Sequence, residues 1–261
     1  MKKIISNILL ATGLTIFLMA CGSEFDLLKD VQSASGARVK FVHAAADAPG
    51  VALYVNDKKF SGILTVSPAT PGVVTYGNVY PINDYALVEA GTAKAKLIAP
   101  AVGTTPETTV FDGSLPVEAD KYYSVFAAGL APTYGAAIIE DKIPAFNDRV
   151  VFFRVINMVS NATALSISIG STMLADKVAY GKASEFVAYD LPSTFTGGAI
   201  NFSGITLVTE GTGGVKNTLT AANLNGVTAG RVVTYVVRGL LPTTPTGTTK
   251  YAISNSVYFN R

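Results

Sequence analysis

The feature that most constrains this chain is that most of it is written twice. The stretch RVKFVHAAADAPGVALYVND at 38–57 returns in degraded form as FRVINMVSNATALSISIGS at 153–171, without a gap, at an offset of 114. Val39, Phe41 and His43 fall on Phe153, Val155 and Asn157, while Leu53 and Val55 fall on Ile167 and Ile169. A second anchor, ADKYYSVFAAGLAP at 119–132, matches AGRVVTYVVRGLLP at 229–242 at an offset of 110. The fold must therefore be one that roughly 110 residues can complete and then repeat.

The periodicity inside the repeat is two. Val39, Phe41 and His43 alternate with Arg38, Lys40 and Val42, which describes a strand with one face inward. The turn residues Asp47-Ala48-Pro49-Gly50 follow, then a second strand with Val51, Leu53 and Val55 inward, closed by Asn56-Asp57. In the copy, 165–170 alternates without error. Further strands are predicted near 72–76, 85–89, 94–99, 108–111, 122–129 and 135–140, and in the second copy near 185–190, 198–202, 206–209, 217–224, 231–239 and 251–259. Gly, Pro, Asn and Asp separate these runs about every ten residues, the spacing of antiparallel β-sandwiches rather than of βαβ units. The segment 142–149 is the linker, and FNR at the chain's end echoes FNDR at 146–149. The expected layout is a signal peptide over 1–20, a modified Cys21 with a tether to 36, and β-sandwiches over 37–145 and 149–261. A sandwich of that size can bury its own core.

The N-terminus reads as an address. Lys2 and Lys3 precede a mostly apolar run that is too short and too interrupted for a membrane span. It ends in LMAC at 18–21, which resembles the lipobox of bacterial lipoproteins. That resemblance implies lipidation of Cys21, which would then be the first mature residue, and anchorage in a membrane without spanning it. Cys21 is the only cysteine, so the chain can form neither an internal disulfide nor a cysteine-pair metal site. Glu24 and Asp26, close behind it, loosely match an acidic export signal for surface display, and an ordinary solvated tether fits them as well. Removing 1–20 takes two lysines and no acid, leaving 18 charges of each sign. The precursor's +2 charge is thus no nucleic-acid signature.

Chemistry is harder to find. His43 is the only histidine, and Asn157 takes its place in the copy. Asn keeps a hydrogen-bond donor and acceptor but cannot transfer protons near pH 7, so a structural role satisfying backbone groups explains both copies. Asp47 and Pro49 serve the turn in the same way. Glu140 and Asp141 are neighbours on a strand and point apart. No nucleophile elbow, phosphate loop or zinc-helix motif occurs, and neither a cofactor nor a metal is expected. Twelve Tyr and thirteen Phe, with no Trp, are more suggestive. Tyr54 lies opposite the inward Leu53 and Val55, so its ring is the candidate for stacking on a sugar or a protein partner. Packing against cross-strand neighbours or the sister domain is the simpler use of these rings.

The V-x-F-x-H/N opening, the D-A-P turn, the L-Y-V-N-D strand and the later KYYSVFAAG at 121–129 together resemble the domain-of-unknown-function 4397 family. The resemblance implies bacterial envelope or secreted proteins, often in tandem, with immunoglobulin-like or transthyretin-like sandwiches. It brings no catalytic residues. The expectation is a non-catalytic, lipid-anchored envelope protein, on the outer membrane, serving as a binding, adhesion or scaffolding module for an envelope protein or glycan. A glycan-binding accessory lipoprotein of a surface polysaccharide uptake system is the alternative, and an envelope hydrolase ranks last.

Overall fold

A computed structural model describes residues 35–61, 72–211, 216–221, 224–242 and 251–260. The expected signal sequence, Cys21, the Glu24 and Asp26 pair and nearly all of the tether lie outside the described residues. The described chain is all-β: nineteen strands and no helix.

Alternation decides the opening of each half. In β1 (Ala37–His43) Val39, Phe41 and His43 are fully buried. β2 (Ala52–Val55) and β3 (Lys58–Lys59) pair across Asn56-Asp57, both at positive φ, 50° and 60°. Two-residue hairpins favour that geometry, and Asn and Asp are the non-glycine residues that tolerate it. The remaining strands of this half are β4 (Val79–Tyr80), β5 (Ala86–Val88), β6 (Gly91–Ala99), β7 (Thr108–Val117), β8 (Tyr122–Leu130) and β9 (Thr133–Glu140). One sheet runs β4-β1-β8-β9, with β5 sharing the β4 side of β1; the facing sheet runs β3-β2-β6-β7.

The second half repeats this plan. Its strands are β10 (Val150–Val159), β11 (Ala162–Ile169), β12 (Thr172–Val178), β13 (Val187–Asp190), β14 (Ile200–Phe202), β15 (Ile205–Gly211), β16 (Lys216–Thr220), β17 (Leu224–Val227), β18 (Val232–Gly239) and β19 (Ser254–Phe259). The orders are β13-β10-β18-β19 and β12-β11-β15-β16, with β14-β17 added as a separate pair. Each half contains one parallel pair, which alternation alone cannot reveal. Arg38 stands beside Tyr122 in β1–β8, and Phe152 beside Val232 in β10–β18, so the registers carry the same offsets as the sequence.

Some strands differ from the sequence reading. Over 72–76 only Val74 pairs, in an isolated bridge to Val51. The run 217–224 divides into β16 and β17, which join different sheets. β12 escaped notice because TMLADKV does not alternate: a bulge against β11 puts Lys177 at φ 53°, and its N–H donates to Ser166 Oγ (3.1 Å).

Three apolar clusters order the layers. One lies between the sheets of the first half, around Phe41, Leu53, Leu97 and Val125. A second lies between those of the other half, around Phe153, Ile167, Leu207 and Tyr235. The third joins the halves: Val42, Phe126 and Ala128 meet Ile156, Met158, Val236 and Tyr258. The sheets of β1 and β10 therefore pack outer face to outer face, giving four stacked layers within the unit Gly36–Arg261. A strand face with polar Lys40 in it reads as solvated, yet here the sister half covers it.

Candidate functional site

The covered face carries the chain's most unusual electrostatics. Lys40 on β1 and Arg154 on β10 are equivalent at the offset of 114, and both are buried, with 0% and 2% of their surface exposed. Each lies over an aromatic ring at the start of the adjoining strand, Lys40 Nζ 5.0 Å from Tyr85 and the Arg154 guanidinium 4.4 Å from Phe186. Each stands beside a buried hydroxyl, Ser124 or Thr234, which are equivalent at the offset of 110. Just past β9 and β19, Asp141 N–H donates to Tyr122 O (2.7 Å) and Asn260 N–H to Val232 O (2.9 Å), so these two residues also correspond.

The contacts cross between halves. Arg154 Nη2 donates to Asp141 Oδ1, and Asp141 Oδ2 accepts from Ser124 (2.7 Å) and from Tyr85 (2.7 Å). Asn260 Nδ2 donates to Tyr85 (2.5 Å), and Ser124 bonds Tyr258 (2.9 Å). At the far end the Tyr180 hydroxyl accepts from Gly129 N–H (3.0 Å), while Arg238 lies over Tyr76, and Ser256 donates to Gly77 O (2.9 Å). Equivalent residues thus reach across in both directions, the signature of an isologous interface. The halves pack as a two-fold dimer would.

The network is unequal in charge. Asp141 is the one buried carboxylate among the described residues, facing two buried cations. Arg154 takes it: burial alone would lower the guanidinium pKa, but Asp141, Tyr258 and Tyr85 together raise it. Lys40 Nζ has no hydrogen-bond partner, and burial lowers its pKa to about 8 against weaker pulls from Asp141 and Asp84. Burial raises the hydroxyl of Tyr85, and lifts Tyr258 to about 12. Lys40 and Arg154 were not singled out by the sequence reading, although one signal was present: a cation at the same position of both copies, on the face assigned to solvent.

The residues that were singled out lie elsewhere. His43 is fully buried, and its Nε2 lies 2.9 Å from Pro49 O. A carbonyl only accepts, so Nε2 carries the proton, and burial lowers the ring's pKa and keeps it neutral. Asn157 donates from Nδ2 to Val178 O (3.0 Å) and accepts Val159 N–H on Oδ1 (3.0 Å). Asp47 receives Ala131 N–H (3.0 Å), tying the β1–β2 loop to the β8–β9 turn. Tyr54 is half-buried rather than open, and its cross-strand neighbours are Lys59 and Lys96, so no row of rings runs through it. The other expected tyrosines are divided: Tyr80 packs on Phe60, Tyr122 on Tyr85, and Tyr76 and Tyr85 serve the interface. Among the described residues no three His, Cys, Asp or Glu side chains gather as a metal site.

An open groove of about 530 Å³ lies at one end of the first sandwich. Pro49, Val73, Pro100, Val102, Pro106 and Tyr134 line it, and no charged side chain does. Val102 is 60% exposed. The groove is built where the copies diverge: Thr163 stands in place of Pro49, and the β6–β7 connection holds both other prolines. Its volume falls within the range of small-ligand sites, roughly 300–1,000 Å³.

A solved structure of a Bacteroides fragilis protein provisionally assigned to cell adhesion is similar at 12% identity, covering 86% of this chain and 97% of that one, with a TM-score of 0.20; a likeness that slight carries no argument. No curated protein matches the chain. The family model described as Domain of unknown function (DUF4397) matches residues 37–168, from the first residue of β1 to the penultimate residue of β11. That match covers half of the chain and the motifs of the first repeat, and the chain belongs to this family.

Proposed function

We propose that this chain is a non-catalytic binding module of the cell envelope, anchored by lipid on Cys21, that presents the groove of its first half to an envelope partner. The observation that carries this reading is the uncharged groove itself, with Val102 exposed on its rim. Contiguous exposed apolar surface on a water-facing protein marks an interaction site more often than an accident. The strongly perturbed side chains, Lys40, Tyr85, Arg154 and Tyr258, sit in the interface between the halves and serve packing. The groove also owes nothing to the repeat's shared requirements, since the second copy lacks its prolines.

The test is photocrosslinking in living cells from a reactive residue placed at Val102, with Met173 as the control. Met173 is 57% exposed but lies in the second half, away from the groove residues. The expected result is a discrete adduct from position 102 alone. Identical adducts from both positions, or none from either, would sink the reading.

A further inference from the structure

The two-fold arrangement of the halves leaves a cleft at each end of their contact, and the two clefts are furnished differently. Tyr85 and Phe186 are equivalent, so Asn83 and Asp84 in one cleft correspond to Ser184 and Glu185 in the other. Phe259 in the first corresponds to Glu140 in the second, because Val233 pairs with Phe259 as Tyr123 pairs with Glu140. The first cleft encloses about 500 Å³ and the second about 290 Å³. A purely geometric by-product of the fold would leave both alike; here Tyr122 and Phe259 line the larger cleft, while Phe186 is the one ring in the smaller.

We propose that the larger cleft, lined by Asn83, Asp84, Tyr122, Arg231 and Phe259, is a saccharide-binding site shared by the two halves. Its groups have hydrogen-bonding capacity to offer. Asp84 commits Oδ1 to the N–H of Tyr85 (2.8 Å), and Oδ2 stays available as an acceptor. Arg231 uses Nε on Thr228 (3.3 Å), leaving its two terminal nitrogens, and the Asn83 amide makes no hydrogen bond among the described residues. Asp84 and Arg231 line one cleft without pairing. Adjacent sugar hydroxyls suit such a set, donating to the carboxylate while accepting from guanidinium and amide. The Arg231 guanidinium lies over the Phe259 ring at 5.5 Å, and the ring, 37% exposed, offers its remaining surface to the apolar face of a pyranose. The chemistry disfavours the other candidates. One acid and one base cancel, so a phosphate or carboxylate gains no net attraction, and a purely apolar ligand would leave the polar groups desolvated and unpaired. The cleft's volume lies within the range of small-ligand sites, roughly 300–1,000 Å³. This inference is independent of the groove at Val102.

The experiment is saturation-transfer NMR and calorimetric titration of the full lipidated chain in detergent. The probes are maltotetraose, cellotetraose, laminaritetraose and chitotetraose, with free glycine as a zwitterion. At least one saccharide is expected to bind, and Phe259→Ala is expected to weaken it ~10-fold, as loss of a ring contact should. Asp84→Asn and Arg231→Ala should weaken it too, while Glu140→Ala in the sister cleft should not. Circular dichroism melts of each variant separate loss of binding from loss of fold, and partly exposed Phe259 and Arg231 are expected to be tolerated. The proposal is overturned if no saccharide binds at 10 mM (roughly the weakest affinity worth a site). It is also overturned if binding survives Phe259→Ala and Arg231→Ala in folded protein, or if glycine binds more tightly than every saccharide.

Discussion

Replacing Lys40 with Met should make this protein more stable. Lys40 is fully buried, and its ammonium lies 5.0 and 5.2 Å from the Tyr85 and Tyr258 rings with no hydrogen bond. Burial drags its pKa from 10.5 to about 8, which by linkage corresponds to about 3 kcal/mol of destabilisation while the group is charged. Methionine keeps most of the apolar stem and drops the charge, but it forfeits a cation–π attraction of about 1 kcal/mol. A net gain of about 2 kcal/mol at pH 7 is expected. The pH dependence follows from the sign of the shift. Below about pH 8 Lys40 is protonated in both folded and unfolded chains, and the full cost is present. Between about 8 and 10.5 the folded chain has released the proton while the unfolded chain still binds it, so stability rises with pH and the cost fades. The advantage of Lys40→Met should therefore shrink steadily across that window. Urea unfolding followed by far-ultraviolet circular dichroism at pH 7, 8, 9 and 9.5 measures the difference, in which groups common to both proteins largely cancel. A variant less stable than the parent at pH 7, or an advantage unchanged at pH 9.5, would refute the reasoning.

Other consequences are sharper in direction than in size. Asp141→Asn removes the counter-ion of Arg154 and should cost about 3–5 kcal/mol, seen as a lowered urea midpoint. Phe126→Ala, in the cluster between the halves, should cost about 3–5 kcal/mol and split one unfolding transition into two calorimetric peaks; a single unsplit peak would show that the halves do not depend on this contact. Asn157→Ala leaves Val178 O and Val159 N–H without their partner and should cost about 1–3 kcal/mol, whereas Asn157→His should recover part of the loss. Cys21→Ser should move the chain from the membrane fraction to the soluble fraction, since stable anchoring needs the lipid chains; retention in the membrane would argue against the anchor.

The strands of the repeat were legible because the side chains of a strand alternate, and a period of two shows directly in Val39, Phe41 and His43 or in Leu165, Ile167 and Ile169. The turn at Asn56-Asp57 was legible because positive φ selects those residues. β12 was not, since a bulge breaks the alternation that would announce it. Tyr54 does lie opposite Leu53 and Val55, half-buried beside Lys59 and Lys96. Lys40 shows the limit of such reading: residue parity says which face of a strand a side chain occupies, not what else covers that face.

That last distinction divides the molecule. By itself the sequence determined the all-β architecture, its duplication, the register offsets of 114 and 110, and the membership of its family, because these depend on local periodicity and on comparison of one copy with the other. Only the tertiary structure decided that Lys40 and Arg154 are buried, that one carboxylate serves two cations, and that the halves meet across a two-fold contact. The groove and the cleft belong to the same class. Pro49, Pro100 and Tyr134 are far apart in sequence, as are Asn83 and Phe259, and each set becomes a site only when long-range packing brings its members together.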